Sequence, residues 1–420
     1  HAAHPGPADV MQPIPQILAA LPNYETVFRA TNPQVTQDEN GFLYVMGGYG
    51  TAFDSTNIPT GYKTFDHIAR IHVPSMIKLV KNQDLDQIVW ADLIAFGENS
   101  NLQATGGEVY KLGDTFYLSG GHDFGSSAPK ASNGQQYQDA VYPFTLSHTA
   151  GTVDLVIDVK TAITDVKLSE LGTLTADTTS TFRRRDGPIV PALFYDDNKT
   201  LTQGLTFYGG VFQPGSKGVA PKEDPDSTYN RAWNTAIYIH PEFESINSSP
   251  ASPYFTLDSD YNQGNLNIYS CADIEFYDAT TKTVHTLLIG GIGDGQTQAQ
   301  SSMLSGFTNS LMHVTYDLET GKSAPRLASE NIFNTDNFYG AESIFVNNPN
   351  GNIIFTKING KATEVIDADA TFKMGQSVDV GFIYGGIEAF DATPGTYGPG
   401  NSAASNKIWK VTVTKNTVDN

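Results

Sequence analysis

Glu108, Asp186, Asp273 and Glu342 each fall in a short link that leads into a hydrophobic run. The links read ATGGE at 104–108, FRRRDGP at 182–188, YSCAD at 269–273 and YGAES at 339–343. A fifth link, RATNPQ at 29–34, carries Asn32 and Gln34 instead. Carboxylates that converge on one place repel unless something compensates. Three chemistries would do so. A hard cation such as Ca²⁺ takes carboxylate and amide oxygens, so the four acids are a candidate calcium set. Arg183, Arg184 and Arg185 would pair with them, or hold a carboxylate or sulfate on a ligand. A carboxyl kept protonated is a general acid, which makes the same four residues candidates for glycoside cleavage. There the two carboxyls stand about 5 Å apart for retention and about 6.5–9.5 Å apart for inversion. The plainer alternative is that the acids cap strand starts and the arginines form structural ion pairs.

His122 follows a pair of glycines, begins a long polar stretch and stands beside Asp123. It would serve as a base, a metal ligand or a polar contact to a sugar; a hydrogen-bonded loop histidine is the plainer reading. His67, His72, His240, His285 and His313 lie on or beside expected strands, where packing is the expected role. No HxH or HExxH spacing occurs, so a strong zinc signature is absent. The chain opens HAAH. An N-terminal histidine chelates copper through its amine and ring, so His1 and His4 are candidate copper ligands if His1 is a mature terminus. An opening without Met or a signal peptide suggests processing or trimming. Cys271 is the single cysteine, so no intramolecular disulfide forms. A small, buried, inert thiol is its expected state.

With 25 Lys and Arg against 45 Asp and Glu, the formal charge is −20. A nucleic-acid footprint needs clustered basic residues, so nucleic acid is not an expected partner. No run of 18 apolar residues exists to span a membrane. Charged residues are only 17%, while Gly (39), Tyr (20) and Phe (23) are plentiful. That mix favours strands joined by elaborate turns.

The elements that would position these residues repeat five times. YVMGG at 44–48, YLSGG at 117–121, TFYGG at 206–210, LLIGG at 287–291 and FIYGG at 382–386 each run a hydrophobic strand into two glycines. Before each lies a first strand: QVTQDENG at 34–41, EVYKLGD at 108–114, VPALFYDD at 190–197, DIEFYDA at 273–279 and ESIFVNN at 342–348. After each comes a long polar stretch and a third strand: HIARIHV at 67–73, AVYPFTL at 140–146, TAIYIHP at 235–241, LMHVTYD at 311–317 and KIWKVTV at 408–414. A fourth follows in repeats one to four, for example QIVWADLIAF at 87–96 and TVDLVIDV at 152–159. Four strands per repeat predict an all-β fold, a single β-propeller over 1–420 with five four-stranded antiparallel blades. The blades fall near 26–97, 98–165, 182–258, 266–330 and 338–420, with six or seven blades as the alternative. The fifth carries an insert near 351–378, and the chain ends after its third strand. VMQPIPQIL, within 8–20, is expected to close the ring on the last blade, its prolines suiting an outermost strand. The glycines are expected to be architecture, since blades pack closely where a Cβ has no room.

A glycine pair after a buried strand resembles the kelch pattern, here in longer repeats than usual. Copper radical oxidases of the galactose oxidase type share that architecture, but no matching tyrosine and histidine set can be assigned. FRRRDGPIVP at 182–191, LTFYGGVFQ at 205–213, VHTLLIGGIG at 284–293 and FIYGGIEAF with SAASNKIWKV at 382–411 resemble secreted propeller proteins of Bacteroidetes exported by the type IX route. The resemblance implies a secreted or outer-surface bacterial protein, and no chemistry.

Strand order sends the long loops, 49–66, 122–139, 211–234, 292–310 and 387–406, to one face, and binding residues favour loops on a rigid scaffold. Tyr49, Phe53, Phe124, Trp233 and Phe390, with Glu388 in the last loop, are expected contacts there. Aromatic faces stack on sugars while Asp, Asn and Arg satisfy hydroxyls. The leading expectation is a non-catalytic binding protein for a glycan or another surface protein. A polysaccharide-active hydrolase or lyase, and a structural subunit of an extracellular assembly, are the alternatives.

Overall fold

The computed structural model describes residues 24–53, 58–88, 92–124, 135–149, 152–165, 180–211, 233–240, 255–258, 260–263, 268–293, 306–392 and 401–416. They build an all-β protein of mainly antiparallel sheets. Among them no helix is long and apolar enough to cross a membrane. The chain divides into two compact units, residues 1–185 and 186–420. His1, His4 and the expected closing strand within 8–20 lie outside the described residues, as do most of the loops at 122–139, 211–234 and 292–310.

In the first unit, β1 (Gln34–Gln37), β2 (Phe42–Met46), β5 (His67–His72) and β6 (Ile94–Glu98) form one antiparallel sheet in that order. β7 (Thr105–Leu112), β8 (Thr115–Phe124), β10 (Val141–His148) and β11 (Leu155–Val159) form the second. Met46, Ile68, Ala95, Leu102, Leu118 and Phe144 are buried together in one apolar core. Two small elements sit between second and third strands: a hairpin of β3 (Tyr49–Phe53) and β4 (Pro59–Thr64), and β9 (Gln135–Tyr137), which pairs with β8.

In the second unit, β12 (Ile189–Tyr195), β13 (Leu201–Tyr208), β14 (Ala236–Ile239) and β15 (Phe255–Asp258) repeat the four-strand order. So do β17 (Ala272–Asp278), β18 (Thr283–Ile289), β21 (Leu311–Asp317) and β22 (Lys322–Ser329). β23 (Ser343–Asn347), β26 (Ser377–Gly385) and β29 (Ile408–Thr414) form a three-stranded sheet. The short β16 (Ile268–Tyr269), β19 (Ile292–Gly293) and β20 (Gly306–Phe307) pair among themselves, as do β27 (Ile387–Ala389) and β28 (Ser402–Ala404).

The glycine pairs set this architecture. All ten residues, from Gly47 and Gly48 to Gly385 and Gly386, have φ between 54° and 96°. Side chains avoid that region, and at Gly47, Gly48, Gly121, Gly290, Gly291 and Gly386 neighbours also close the space. A Cβ on Gly47 would fall 2.3 Å from the Ala104 carbonyl oxygen, and one on Gly290 2.2 Å from that of Tyr339. The second glycine's carbonyl then accepts the N–H of Phe65, Gln138, Trp233, Thr308 or Ser405, two or three residues before the third strand. This bond recurs in every repeat. It satisfies backbone groups that the turn would otherwise leave unpaired.

Three expectations need correction. The strand expected over 87–96 begins at Ile94, because Leu85–Gln87 is a 3-10 turn and a helix, Val73–Lys81, precedes it with a proline in its first turn. The loop expected over 49–66 contains the β3–β4 hairpin. The insert near 351–378 supplies β24 (Phe355–Ile358) and β25 (Lys361–Asp367), and these join the preceding sheet. β25 pairs in parallel with β17, Phe276 opposite Ile366, so the sheet order is β22-β21-β18-β17-β25-β24.

Gly290→Ala and Gly360→Ala separate crowding from backbone strain. Gly360 has φ 80° but no heavy atom within 4 Å of the place an alanine methyl would take, so alanine there should cost about 1–2 kcal/mol. At Gly290 the same strain is joined by the clash, and the loss should exceed about 3 kcal/mol. Denaturant unfolding checks this; equal losses would show that the close approach is unimportant.

Candidate functional site

The expected ring of four equivalent carboxylates is not how the links are built. Within each link one residue turns through left-handed φ: Asn32 (48°) and Gly106 (65°) in the first unit, Asp186 (56°), Ser270 (48°) and Glu342 (55°) in the second. These residues are joined in series. The Gly106 N–H donates to the Asn32 carbonyl at 3.3 Å, Ser270 N–H to Asp186 at 2.8 Å, and Glu342 N–H to Ser270 at 2.8 Å. Asp186 and Glu342 are therefore turning residues. Glu108 lies two residues beyond Gly106, opposite Ser119 on β8, and Asp273 lies three beyond Ser270 on β17. The four acids hold different backbone positions, so they are not one repeated set.

Asp273 has neighbours that the sequence did not suggest. Glu275 follows on the same side of β17, opposite Thr286, and is buried. Burial, then the charge of Glu364 on β25, raises the Asp273 carboxyl above its usual range. Burial, then Asp273 and Glu364, raises Glu275 well above its own. These are carboxyls held toward their neutral form by an apolar setting and by each other.

The first unit brings the other candidates together in an unexpected way. β8 continues through its glycines to Phe124, so His122 is a strand residue rather than a loop residue, paired with Thr105 on one side and Tyr137 on the other. It is only 6% exposed, and its Nδ1 is buried with no hydrogen-bond partner among the described residues. Burial, then the Arg185 cation, lowers its pKa to about 3. The imidazole is thus neutral near pH 7. Asp123, next in sequence, serves a different contact as the strand alternates. Its Oδ1 accepts Gln103 Nε2 at 3.2 Å, and that amide also donates to the Thr64 carbonyl at 2.9 Å. Burial raises the Asp123 carboxyl, with the Thr64 and Gln103 hydrogen bonds opposing that rise.

The arginine triplet, which lies outside the strands, divides among three environments. Arg184 is fully buried, its Nε donating to the Thr181 carbonyl at 2.7 Å, while its own carbonyl accepts the Gly121 N–H at 2.7 Å. It is part of the frame. Arg183 lays its guanidinium over the Tyr137 ring, 4.2 Å from the centroid, a cation–π distance. Arg185 stands near His122.

Aromatic rings continue from there. Tyr137 and His122 have centroids 5.6 Å apart, His122 and Phe124 6.1 Å, Phe124 and Tyr49 5.3 Å, and Tyr49 and Tyr62 6.0 Å. The row runs from the buried Tyr137 to Tyr62, which is 62% exposed on β4. Phe53 belongs to the same hairpin, under the Arg29 guanidinium at 5.6 Å. Tyr62 was missed in the sequence because its hairpin reads as loop.

Candidates in the second unit are mostly structural. Trp233 is buried, and its N–H makes the recurring bond to Gly210. Glu388 accepts the Tyr339 hydroxyl and Asn337 Nδ2, each at 2.7 Å, and these bonds lower its carboxyl pKa. Phe390 is exposed. Cys271 is buried, with its Cβ 2.6 Å from the place a Gly291 Cβ would take.

No family model matches the chain, and no curated protein is similar to it. A solved structure described as "Structure of YjhT" is similar over 90% of this chain and 84% of that chain, with 10% identity and a TM-score of 0.38.

Buried neutral histidines make stability fall in acid. The unfolded pKa is about 6.5; His122 is lowered to about 3, and burial lowers His240 and His313 to about 4. Below pH ~6.5 the unfolded chain takes up protons that the folded chain refuses. Stability should therefore be level above that pH and fall below it, by up to about 1.4 kcal/mol per pH unit for each such group. His122→Gln should flatten the slope between pH 6 and 4 in denaturant titrations. An unchanged slope would show that His122 is not held neutral.

Proposed function

We propose that this is a secreted or surface-exposed, non-catalytic binding protein that takes an anionic glycan along the Tyr62–Tyr49–Phe124–His122–Tyr137 row. The observation that carries the reading is the joining of that row to cations: Arg183 covers its inner end and Arg185 neighbours His122. Tyr62, the exposed end of the row, offers a flat apolar face to a sugar. Guanidiniums match the planar geometry of carboxylate and sulfate groups. Two guanidiniums thus stand beside the row in a protein of net charge −20.

In this reading the five repeats are the blades of a kelch-like propeller. The five left-handed glycine pairs and the five recurring bonds to the third strand support that count. Cleavage is the weaker reading, because the acids proposed for it occupy unlike backbone positions.

A panel of polysaccharides should show binding to uronic-acid or sulfated chains, weaker in high salt, and little binding to neutral ones. Tyr62→Ala should weaken it about 5–10-fold and Arg183→Ala about 10-fold or more. Absence of binding across the panel, or binding indifferent to both changes, would overturn the proposal.

A further inference from the structure

A second cluster lies in the first unit. His67 opens β5 and pairs with Glu98, the last residue of β6, while Asp66 precedes it in the chain. The His67 Nε2 lies 3.7 Å from Asp66 Oδ1 and 3.6 Å from Glu98 Oε2. One donor atom from each of the three residues falls within a sphere of mutual separation 4.8 Å. The other ring nitrogen is already engaged, with Nδ1 2.7 Å from the Thr26 hydroxyl oxygen. A ring so held has its second nitrogen directed by an outside partner, as in metal-binding histidines whose far nitrogen is anchored by an oxygen.

The two histidine–carboxylate distances are longer than hydrogen bonds and close to the spacing of donor atoms on one cation. Separations of 3.6 and 3.7 Å exceed the usual N–H···O range of about 2.7–3.2 Å. Two metal–ligand bonds of about 2.1 Å, meeting at about 110–120°, put donor atoms about 3.4–3.6 Å apart. The Tyr24 ring edge, 5.1 Å from the imidazole, and Phe65, 6.1 Å away, bound the histidine on its sides. The Asp66 and Glu98 side chains are 27% and 63% exposed, so an ion can enter and water can complete its shell.

We propose that Asp66, His67 and Glu98 bind one divalent transition-metal ion, zinc or manganese in type, with Thr26 orienting the imidazole. One nitrogen and two carboxylates favour such ions over Ca²⁺, which prefers an all-oxygen shell. The site joins the ends of β5 and β6, and does not involve the four acids of the links.

Calorimetric titration of the whole chain with ZnCl₂ and MnCl₂, and with CaCl₂ as control, tests this. One equivalent of Zn²⁺ or Mn²⁺ should bind at micromolar concentration, at least ten-fold more tightly than Ca²⁺. His67→Gln and Glu98→Gln should each weaken binding at least ten-fold, and Thr26→Val several-fold. Glu98 is mostly exposed, so its variant provides the readout even if the histidine variant folds poorly. No transition-metal binding at 100 µM-scale concentrations (about a hundred times the expected range) would overturn the proposal. Undiminished binding in both variants would also overturn it, by placing the metal elsewhere, including on His1 and His4.

Discussion

Two consecutive residues in left-handed conformation, at the end of every second strand, are the constraint on which the rest depends. The turn places the second glycine's carbonyl where the incoming third strand must donate to it. The bond spans 17 residues in three repeats, from Gly48 to Phe65, Gly121 to Gln138 and Gly291 to Thr308, and 23 and 19 in the others. The third strand thus starts at a fixed place regardless of what the intervening chain does. That independence lets one repeat fill the gap with a hairpin and the next with a single short strand. It also puts the aromatic row on elements whose ends are pinned, which would keep the ordering cost of the proposed binding low.

Alternation along each strand decides which chemistry-bearing residues meet. Adjacent letters in the sequence part company: His122 joins the aromatic row while Asp123 ties β8 to Thr64 through Gln103. In the link before β12, outside any strand, Arg184 is consumed by the frame while its two neighbours stay near the rings. The same burial that removes charge from His122 leaves the guanidiniums as the local cations, since arginine does not give up its proton.

Strand positions were legible in the sequence because glycine pairs and apolar alternation follow directly from backbone geometry. The first, second and third strands of every repeat fall where those patterns put them. The linking residues mislead for a related reason. Asn32, Gly106, Asp186, Ser270 and Glu342 share a backbone conformation, not a side-chain chemistry, and aligning them by carboxylate draws in Glu108 and Asp273 from other positions. The Asp66, His67 and Glu98 cluster was invisible until strand register set His67 opposite Glu98. The helix at Val73–Lys81 left only Pro74 as its signal, and the insert read as an insertion without showing that its strands join the preceding sheet.

The parallel pairing of β25 with β17 gives the second unit a temporal order. Every other strand in the large sheet finds its neighbour within a short stretch of chain, but Phe276 waits for Ile366. Closing so long a loop costs entropy before any contact rewards it. During synthesis from the N-terminus, the free edge of β17 stays open until residue 367 has emerged. Asp273 and Glu275 lie on that strand, and until β25 covers it they lack the Glu364 neighbour. Charged residues on an open edge make it a poor template for a neighbouring chain, and the arrival of β25 with Glu364 raises both carboxyls above their usual range.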